Sequence, residues 1–566
     1  MKLLNSLSLS NWKGDLFGGI TAAIVALPLA LAFGVASGAG ATAGLYGAII
    51  VGFFAALLGG TPAQVSGPTG PMTVIATTVI TTLVARHPEH GLALAFTVFI
   101  LAGLCQILFG VMRLGQYITL MPYTVISGFM SGIGVIIIIL QLPPLLGHPN
   151  VGGVIETLKE LPSLLSTVNW ITILLGGLTL AIVFNVPTKV NRVVPASLLA
   201  LVSVTLVSVI FFGDATIDRI GMIPRTLPTP HLPRFEIREL ADMLRFGLML
   251  GVLGAIDSLL TSLVADNVSR TQHDSDKELI GQGIANCIAG LFGGLPGAGA
   301  TIRTLVNVQA GGLTPLSGII HALTLVMVVF WAAPLAAQIP TAVLAGILIK
   351  VGIDILDWGF IKRAPRLSMK GMGLMYLVLF LTVFVDLITA VLVGAFIANI
   401  LTIKRLSDLQ SKDIQAITDP SACTTLSAEE QEILIRSHGD LLLLQLSGPL
   451  SFGAAKSISH RITAVRNYNT LILDLTDVSS IGVTAALAIE SIVQDALQNR
   501  RRIWLVVPPG QVQHRITQLE LHRLCHSIHP EEDSLLQQVN DRLEALHAAT
   551  NHVYRSRRTQ PAELVH

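Results

Sequence analysis

Ser66-Gly67-Pro68-Thr69-Gly70-Pro71-Met72-Thr73 and Pro296-Gly297-Ala298-Gly299-Ala300-Thr301-Ile302-Arg303-Thr304 decide how this chain is read. Each is a Gly/Pro-broken entry into a short apolar helical segment. A helix that begins inside a bilayer leaves its first N–H groups unpaired, and its dipole places roughly half a positive charge there. Two such starts facing one another make an anion site. Glycines permit close backbone approach, while Thr69, Thr73, Thr301 and Thr304 add hydroxyls without net charge. The competing reading is a pair of kinks packed by small residues. Two matching interruptions at symmetric places favour the anion site.

The surrounding sequence belongs in a bilayer. Of 566 residues, 52% are hydrophobic and 13% charged, against roughly 25% charged in an ordinary soluble protein. Charges are sparse from Asp15 to Lys404, then dense in Lys404 to Arg436 and again after Asn499. A net charge of +1 gives no basic footprint for nucleic acid. Cys105, Cys287, Cys423 and Cys525 are scattered and form no CxxC or Cys/His metal spacing, so they read as small buried apolar residues. No nucleophile with a base, Gly-rich phosphate loop or metal motif supports an enzyme, and no cofactor is expected beyond a coupling ion.

A bilayer core is crossed by about 20 apolar residues in a helix. Fourteen candidate segments, several of them shorter, lie near 15–36, 41–59, 68–85, 91–113, 118–143, 168–186, 193–213, 243–266, 278–293, 300–310, 315–335, 340–360, 370–386 and 387–404. With the N-terminus inside, the short cytoplasmic loops hold Arg113, Lys189 with Arg192, Arg270, Lys362 to Lys370, and Lys404 with Arg405, as the positive-inside rule requires. The outer side carries Arg86, Lys159 and the long stretch Asp214 to Arg245 with its five arginines; long loops escape the rule. An even count puts both termini in the cytoplasm of a multi-pass inner-membrane or plasma-membrane protein. Seven spans per half is an odd number, so two homologous halves would be inverted, with segments 3 and 10 as counterparts.

After Asp440 the pattern changes to three buried strands, Leu441 to Leu446, Thr470 to Leu475 and Arg502 to Val507, with helical stretches Phe452 to Val465 and Val483 to Asn499 between them. The expected organisation is an N-terminus over 1–14, a transport domain over 15–404 with repeats about 15–213 and 243–404, a linker over 405–437, a small cytoplasmic α/β domain over 438–546 and a polar tail over 547–566.

Asp257 lies within the apolar run Gly247 to Ala265, where a carboxylate is costly and marks function by default. Thr261 falls one turn later on the same face. A carboxylate, a hydroxyl and the free carbonyls of a broken helix are hard oxygen ligands suited to Na⁺, and the same carboxylate is equally able to carry a proton. Asp257 could instead pair with Arg303, and Arg303 could itself be the positive partner of the anion. Asp386 sits near a junction between segments; Asp266, Asp354 and Asp357 fall at helix ends, and His87, His90 and His148 in solvated outer loops.

These residues resemble the sulfate permease (SulP) family from about Asn11 to Val507, most closely its bicarbonate-transporting branch. The resemblance rests on Gly14-Asp15-Leu-Phe-Gly-Gly19, Ala26-Leu-Pro-Leu-Ala30, Ala39 to Gly47, Gly67 to Pro71, Met121 to Met130, Asp257 to Asp266, Asn286 to Gly299 and Lys350 to Phe360. It implies a polytopic α-helical membrane protein of fourteen spans in two inverted seven-span repeats, a core domain moving against a gate domain, and a cytoplasmic STAS domain that mediates homodimerisation. Carried over by position, it implies an anion site of Thr69, Gly70, Ala300 and Thr301, and a Na⁺ site of Asp257, Thr261, Gly299 and Thr301.

Many relatives carry Glu where this chain has Asp257, so the aspartate favours the Na⁺-coupled branch. Arg303 points the other way: the bicarbonate branch has an apolar residue there, whereas many sulfate, chloride and dicarboxylate carriers have Arg. In the tail, Ser480-Ile-Gly-Val-Thr484 falls where related anti-sigma-factor antagonists carry a phosphorylated serine, making Thr484 a regulatory candidate; the plainer role is a cap on the following helix. The resulting expectation is a Na⁺-coupled bicarbonate symporter working by an elevator-like motion. The alternatives are a proton-coupled or exchange carrier of sulfate or a dicarboxylate and, from another class, an anion channel.

Overall fold

The computed structural model describes the chain apart from residues 1–3, 6–8, 119–121, 192–193, 214–216, 222–227, 368, 386, 411–413, 419–425, 438, 452–457, 459–464, 466–467, 530–532 and 560–566. The expectations for Cys423 and Asp386, and nearly all of the stretch 452–465, lie outside the described residues. Two compact units, Met1–Ala398 and Asn399–His566, are described separately.

The first unit is helical. Its first half holds α1 (Trp12–Ala36), α2 (Ala41–Leu58), α3 (Gly70–Arg86), α4 (Gly91–Val111), α5 (Gly115–Ile118), α6 (Tyr123–Leu140), α7 (Leu142–Leu146), α8 (Val154–Ser166), α9 (Trp170–Asn185), α10 (Thr188–Asn191) and α11 (Ala196–Phe211). The second holds α12 (Leu240–Ser269), α13 (Ser275–Leu291), α14 (Thr301–Gln309), α15 (Pro315–Ala336), α16 (Thr341–Ile355), α17 (Trp358–Leu367), α18 (Met369–Phe384) and α19 (Leu387–Gln410), the last running on into the second unit.

A helix stands at the place of each of the fourteen apolar segments, while the amphipathic α8 and the basic α17 were not anticipated. Among the described residues, six helices are long and apolar enough to cross a membrane, and the pair α8 and α9, bent by 117°, makes up to seven. Others are shorter: α3 has 17 residues and α14 has 9. They are short because each starts at a break within the protein.

Small residues let the helices approach closely. A Cβ on Gly103 of α4 would lie 2.4 Å from the Gly283 carbonyl oxygen of α13, and one on Gly283 would lie 2.5 Å from that of Gly103. The two backbones are therefore in contact, the packing expected where lipid supplies no hydrophobic drive between helices.

The breaks before α3 and α14 meet. Strand β1 (Ser66–Gly67) pairs antiparallel with β2 (Ala298–Gly299), Ser66 opposite Gly299 and Gly67 opposite Ala298. The Ala300 N–H extends the ladder to the Val65 carbonyl at 3.0 Å. Gly67 has φ +151°, and a Cβ on Gly297 would lie 2.4 Å from the Gly67 carbonyl carbon.

The second unit is an α/β domain. Its sheet has the order β3-β4-β5-β6-β7, from β3 (Ile414–Ile417), β4 (Leu441–Leu450), β5 (Thr470–Ile481), β6 (Arg502–Val506) and β7 (Leu536–Val539). β3 is antiparallel to β4 and the remaining pairs are parallel. Side chains alternate between two faces: Leu442, Leu444 and Leu446 enter a core with the helix Val483–Gln498, whereas Leu441, Leu443 and Trp504 enter another with Ala545, Leu546 and Ala549. Burial on both faces explains why β4 reads as a continuous apolar run.

The expected linker 405–437 holds β3 and the helix Ala428–Arg436, whose Ile433 and Leu434 are buried in the second core. Its charged composition conceals an amphipathic helix with a Ser427/Glu430 capping box. The expected polar tail begins inside another helix, Arg542–Thr559, with Ala549 buried.

Candidate anion and cation site

Thr69 is the extended N-cap of α3, and Pro71 occupies the first turn, where its missing N–H costs nothing. The N–H groups of Gly70 and Met72 stay outside the intrahelical ladder. Ala300 is the N-cap of α14, which likewise begins with the N–H groups of Thr301, Ile302 and Arg303 outside the ladder. The β1–β2 pairing holds these two starts together, so two partial positive ends share one place.

The Thr69 side chain does not cap its own helix. Its hydroxyl donates to Asp257 Oδ2 at 2.8 Å, and Asp257 is 7% exposed on α12. Thr261, one turn on, donates to the Gly299 carbonyl at 2.9 Å and lies 2.8 Å from the Thr301 hydroxyl. Hence Thr261 contacts both Gly299 and Thr301, and Asp257, one turn earlier on α12, ties that helix to the start of α3. The donor set is one carboxylate, two hydroxyls and one carbonyl, all hard oxygens that fit Na⁺. Among the described residues no cluster of three or more His, Cys, Asp or Glu offers a transition-metal site.

Arg303 is 2% exposed and donates from Nη2 to the Pro68 carbonyl at 2.7 Å. Its Nη1 lies 2.7 Å from where a Cβ on Gly67 would stand. The guanidinium therefore packs against the first break, and among the described residues it forms no ion pair with Asp257. Beside Gly70 and Thr73 there is a cavity of about 20 Å³, bounded also by Phe33, Ile137 and Leu348, which is room for about one water.

Sequence reasoning missed the polar layer behind the breaks. Glu278, 1% exposed on α13, accepts from the Thr61 N–H at 2.9 Å, Gln64 Nε2 at 2.7 Å and Gln282 Nε2 at 2.8 Å. Gln64 in turn underlies Gly299, where an added Cβ would lie 2.4 Å from its Nε2. Ser258 Oγ accepts from the Gly299 N–H at 3.1 Å, and Asn286 bonds both the N–H and the carbonyl of Gly297. Glu278 gave little signal, because it opens the segment 278–293 beside Asp274, Asp276 and Lys277 and reads as one more charge at a helix start.

Asp266 lies in the last turn of α12 and Asp357 just before α17, at helix ends as expected; Asp266 binds the ring of His273 at 2.7 Å, and His87 lies 3.4 Å from Glu239. Asp15 crosses to the start of α15, accepting from Leu313 N, Thr314 N and the Thr314 hydroxyl. Asp357 accepts from Tyr123, Ser127 and the Phe360 N–H. Cys525 is buried, whereas Cys105 and Cys287 are only partly so. Thr484 is exposed in the first turn of its helix, and Gly482, not Thr484, is the N-cap.

With this geometry in hand, comparison with known proteins is specific. The model of the sulfate permease family matches residues 12–378, and that of the STAS domain matches 432–535. The chain is 53% identical over 547 residues to a protein named bicarbonate transporter BicA from Synechocystis sp., covering 96% of each. It is also similar to the solved transmembrane domain of a cyanobacterial bicarbonate transporter BicA, with 57% identity and TM-score 0.66 over 69% of this chain and all of that one. The overall structure of SLC26A9 shares the fold at TM-score 0.79 and 18% identity, covering 98% of this chain and 92% of that one.

Proposed function

The chain belongs to the sulfate permease family, and we propose that it carries bicarbonate into the cell together with Na⁺. The observation that carries this reading is the Thr69–Asp257 hydrogen bond, which ties the residue at the start of α3 to the acid of the cation set. An anion at the α3 and α14 starts, in contact with Thr69, Gly70, Ala300 and Thr301, would neighbour Na⁺ held by Asp257, Thr261, Gly299 and Thr301. Each ion offsets the charge of the other, so neither loads well alone. The relative named as a bicarbonate transporter supports the choice of anion.

In the same reading, fourteen spans form two inverted repeats, and the paired breaks of α3 and α14 are the counterparts that this symmetry demands. Both termini are cytoplasmic in the inner or plasma membrane, and the STAS domain joins two chains as a homodimer. The small void beside Gly70 favours a moving carrier over an open channel: room for bicarbonate requires α1, α6 and α16 to part from α3, as in an elevator-like step. Thr484 remains a modification candidate by its exposure.

Uptake of labelled bicarbonate and labelled sulfate into proteoliposomes, each with and without an inward Na⁺ gradient, tests the proposal. Bicarbonate uptake that requires Na⁺ supports it. Na⁺-independent sulfate uptake replaces it with a proton-coupled or exchange carrier of sulfate or a dicarboxylate, the reading that the buried positive charge of Arg303 favours.

A further inference from the structure

A cavity of about 960 Å³ lies between α1, α9, α11, α14 and α16 and reaches along α14 to Ile302, the residue after Thr301. Its polar lining is Thr21, Asn191, Ser197, Gln309, Lys350 and Asp354. Among the described lining residues Lys350 is the one cation and Asp354 the one acid. They are ion-paired one turn apart on α16, with side chains 23% and 42% exposed. Lys350 Nζ also lies 5.5 Å from the centroid of the Phe184 ring, which holds the ammonium at the wall.

Arg303, the charge nearest the α14 start, is buried and bonded to Pro68, so it does not line this cavity. An anion entering meets Lys350 instead. The remaining wall includes Val25, Leu29, Val306 and Ile347, apolar surface that leaves the Lys350–Asp354 pair as the charged groups of the described lining. A partly exposed helical ion pair is weak, so a competing oxyanion displaces the carboxylate readily.

We propose that Lys350 is the binding group an oxyanion meets in this cavity before it reaches the starts of α3 and α14, and that Asp354 competes with the anion for it. The ligand class is a small oxyanion carrying one or two negative charges. The cavity is far larger than such an ion, so the group acts on capture and hence on KM, leaving the maximal rate nearly unchanged. This inference rests on the anion-carrier reading above.

The test is equilibrium exchange of labelled bicarbonate in proteoliposomes, which loads the carrier from both faces, at low and high ionic strength. For Lys350→Gln we expect a KM raised about fivefold, a maximal rate within about twofold and a flattened salt dependence; for Asp354→Asn, a KM lowered about twofold. Lys350→Arg should retain the wild-type KM and salt slope. A KM unchanged in both Lys350→Gln and Asp354→Asn overturns the proposal, and so does an Asp354→Asn KM raised like that of Lys350→Gln, which would make the pair a strut. Should Lys350→Gln fail to fold, the direction of the Asp354→Asn effect still decides. A wild-type chain that exchanges no anion overturns the carrier reading and this inference together, whereas active exchange with unaltered variants overturns only this one.

Discussion

The hydroxyl of Thr69 donates to Asp257 Oδ2 at 2.8 Å although the two residues are 188 positions apart. One hydrogen bond thus joins the N-cap of a broken helix in the first half of the transport unit to the buried acid in the second.

Asp257→Asn keeps the side-chain shape and still accepts from Thr69, but it removes the negative charge that would hold Na⁺. Na⁺-dependent uptake is expected to fall about a hundredfold, the upper end of what losing even an outer-shell partner of a metal ligand costs, while the protein remains folded by detergent size exclusion. Retention of Na⁺-dependent uptake would exclude Asp257 as a cation ligand.

Arg303 should separate the two substrate readings. If its guanidinium serves to brace the Pro68 carbonyl, Arg303→Leu leaves the anion preference unchanged and lowers thermal stability by about 1–3 kcal/mol through the unpaired carbonyl. A switch in the ratio of bicarbonate to sulfate uptake would instead assign Arg303 to anion selection.

Gly297→Ala is expected to abolish transport and lower the yield of folded protein, because its Cβ would lie within 2.8 Å of three Gly67 backbone atoms and force β1 and β2 apart. Gly177→Ala is the control, since nothing lies within 4 Å of its added Cβ. Equal behaviour of the two variants in uptake and thermal unfolding would show that close β1–β2 pairing is not needed for transport.

The soluble unit has its own charged clasp. Arg542 binds Glu430 Oε1 at 2.7 Å and Asp474 Oδ2 at 3.2 Å. Burial pushes the Glu430 carboxyl up, but the Ser427 N–H and hydroxyl and the Arg542 guanidinium together bring it below its ordinary value. A folded pKa below the unfolded one stabilises the domain above the unfolded value, and that stability is lost as pH falls through the folded one. The thermal stability of this unit should therefore fall below about pH 4. Arg542→Met should reduce that acid dependence and cost about 2 kcal/mol at neutral pH; an unchanged pH profile would show that the clasp is not what titrates.

The sequence alone was enough to place the apolar helices, because apolar length is written locally in runs, and to mark the breaks at Ser66–Thr73 and Pro296–Thr304, because Gly and Pro act on their own backbone. It also singled out Asp257, since an acid in an apolar run is conspicuous by itself. It did not reveal that 405–437 contains β3 and a packed helix, because the charged face of that helix dominates its composition. Nor did it reveal the layer of Glu278, Gln64, Ser258 and Asn286, whose roles exist only in contacts between distant segments. That the Arg303 guanidinium donates to the Pro68 carbonyl could not be read from the sequence, because the two residues meet only through the fold. Hydropathy and backbone propensity are properties of neighbouring residues, whereas the direction a buried donor takes is set by whichever acceptor tertiary packing brings within reach.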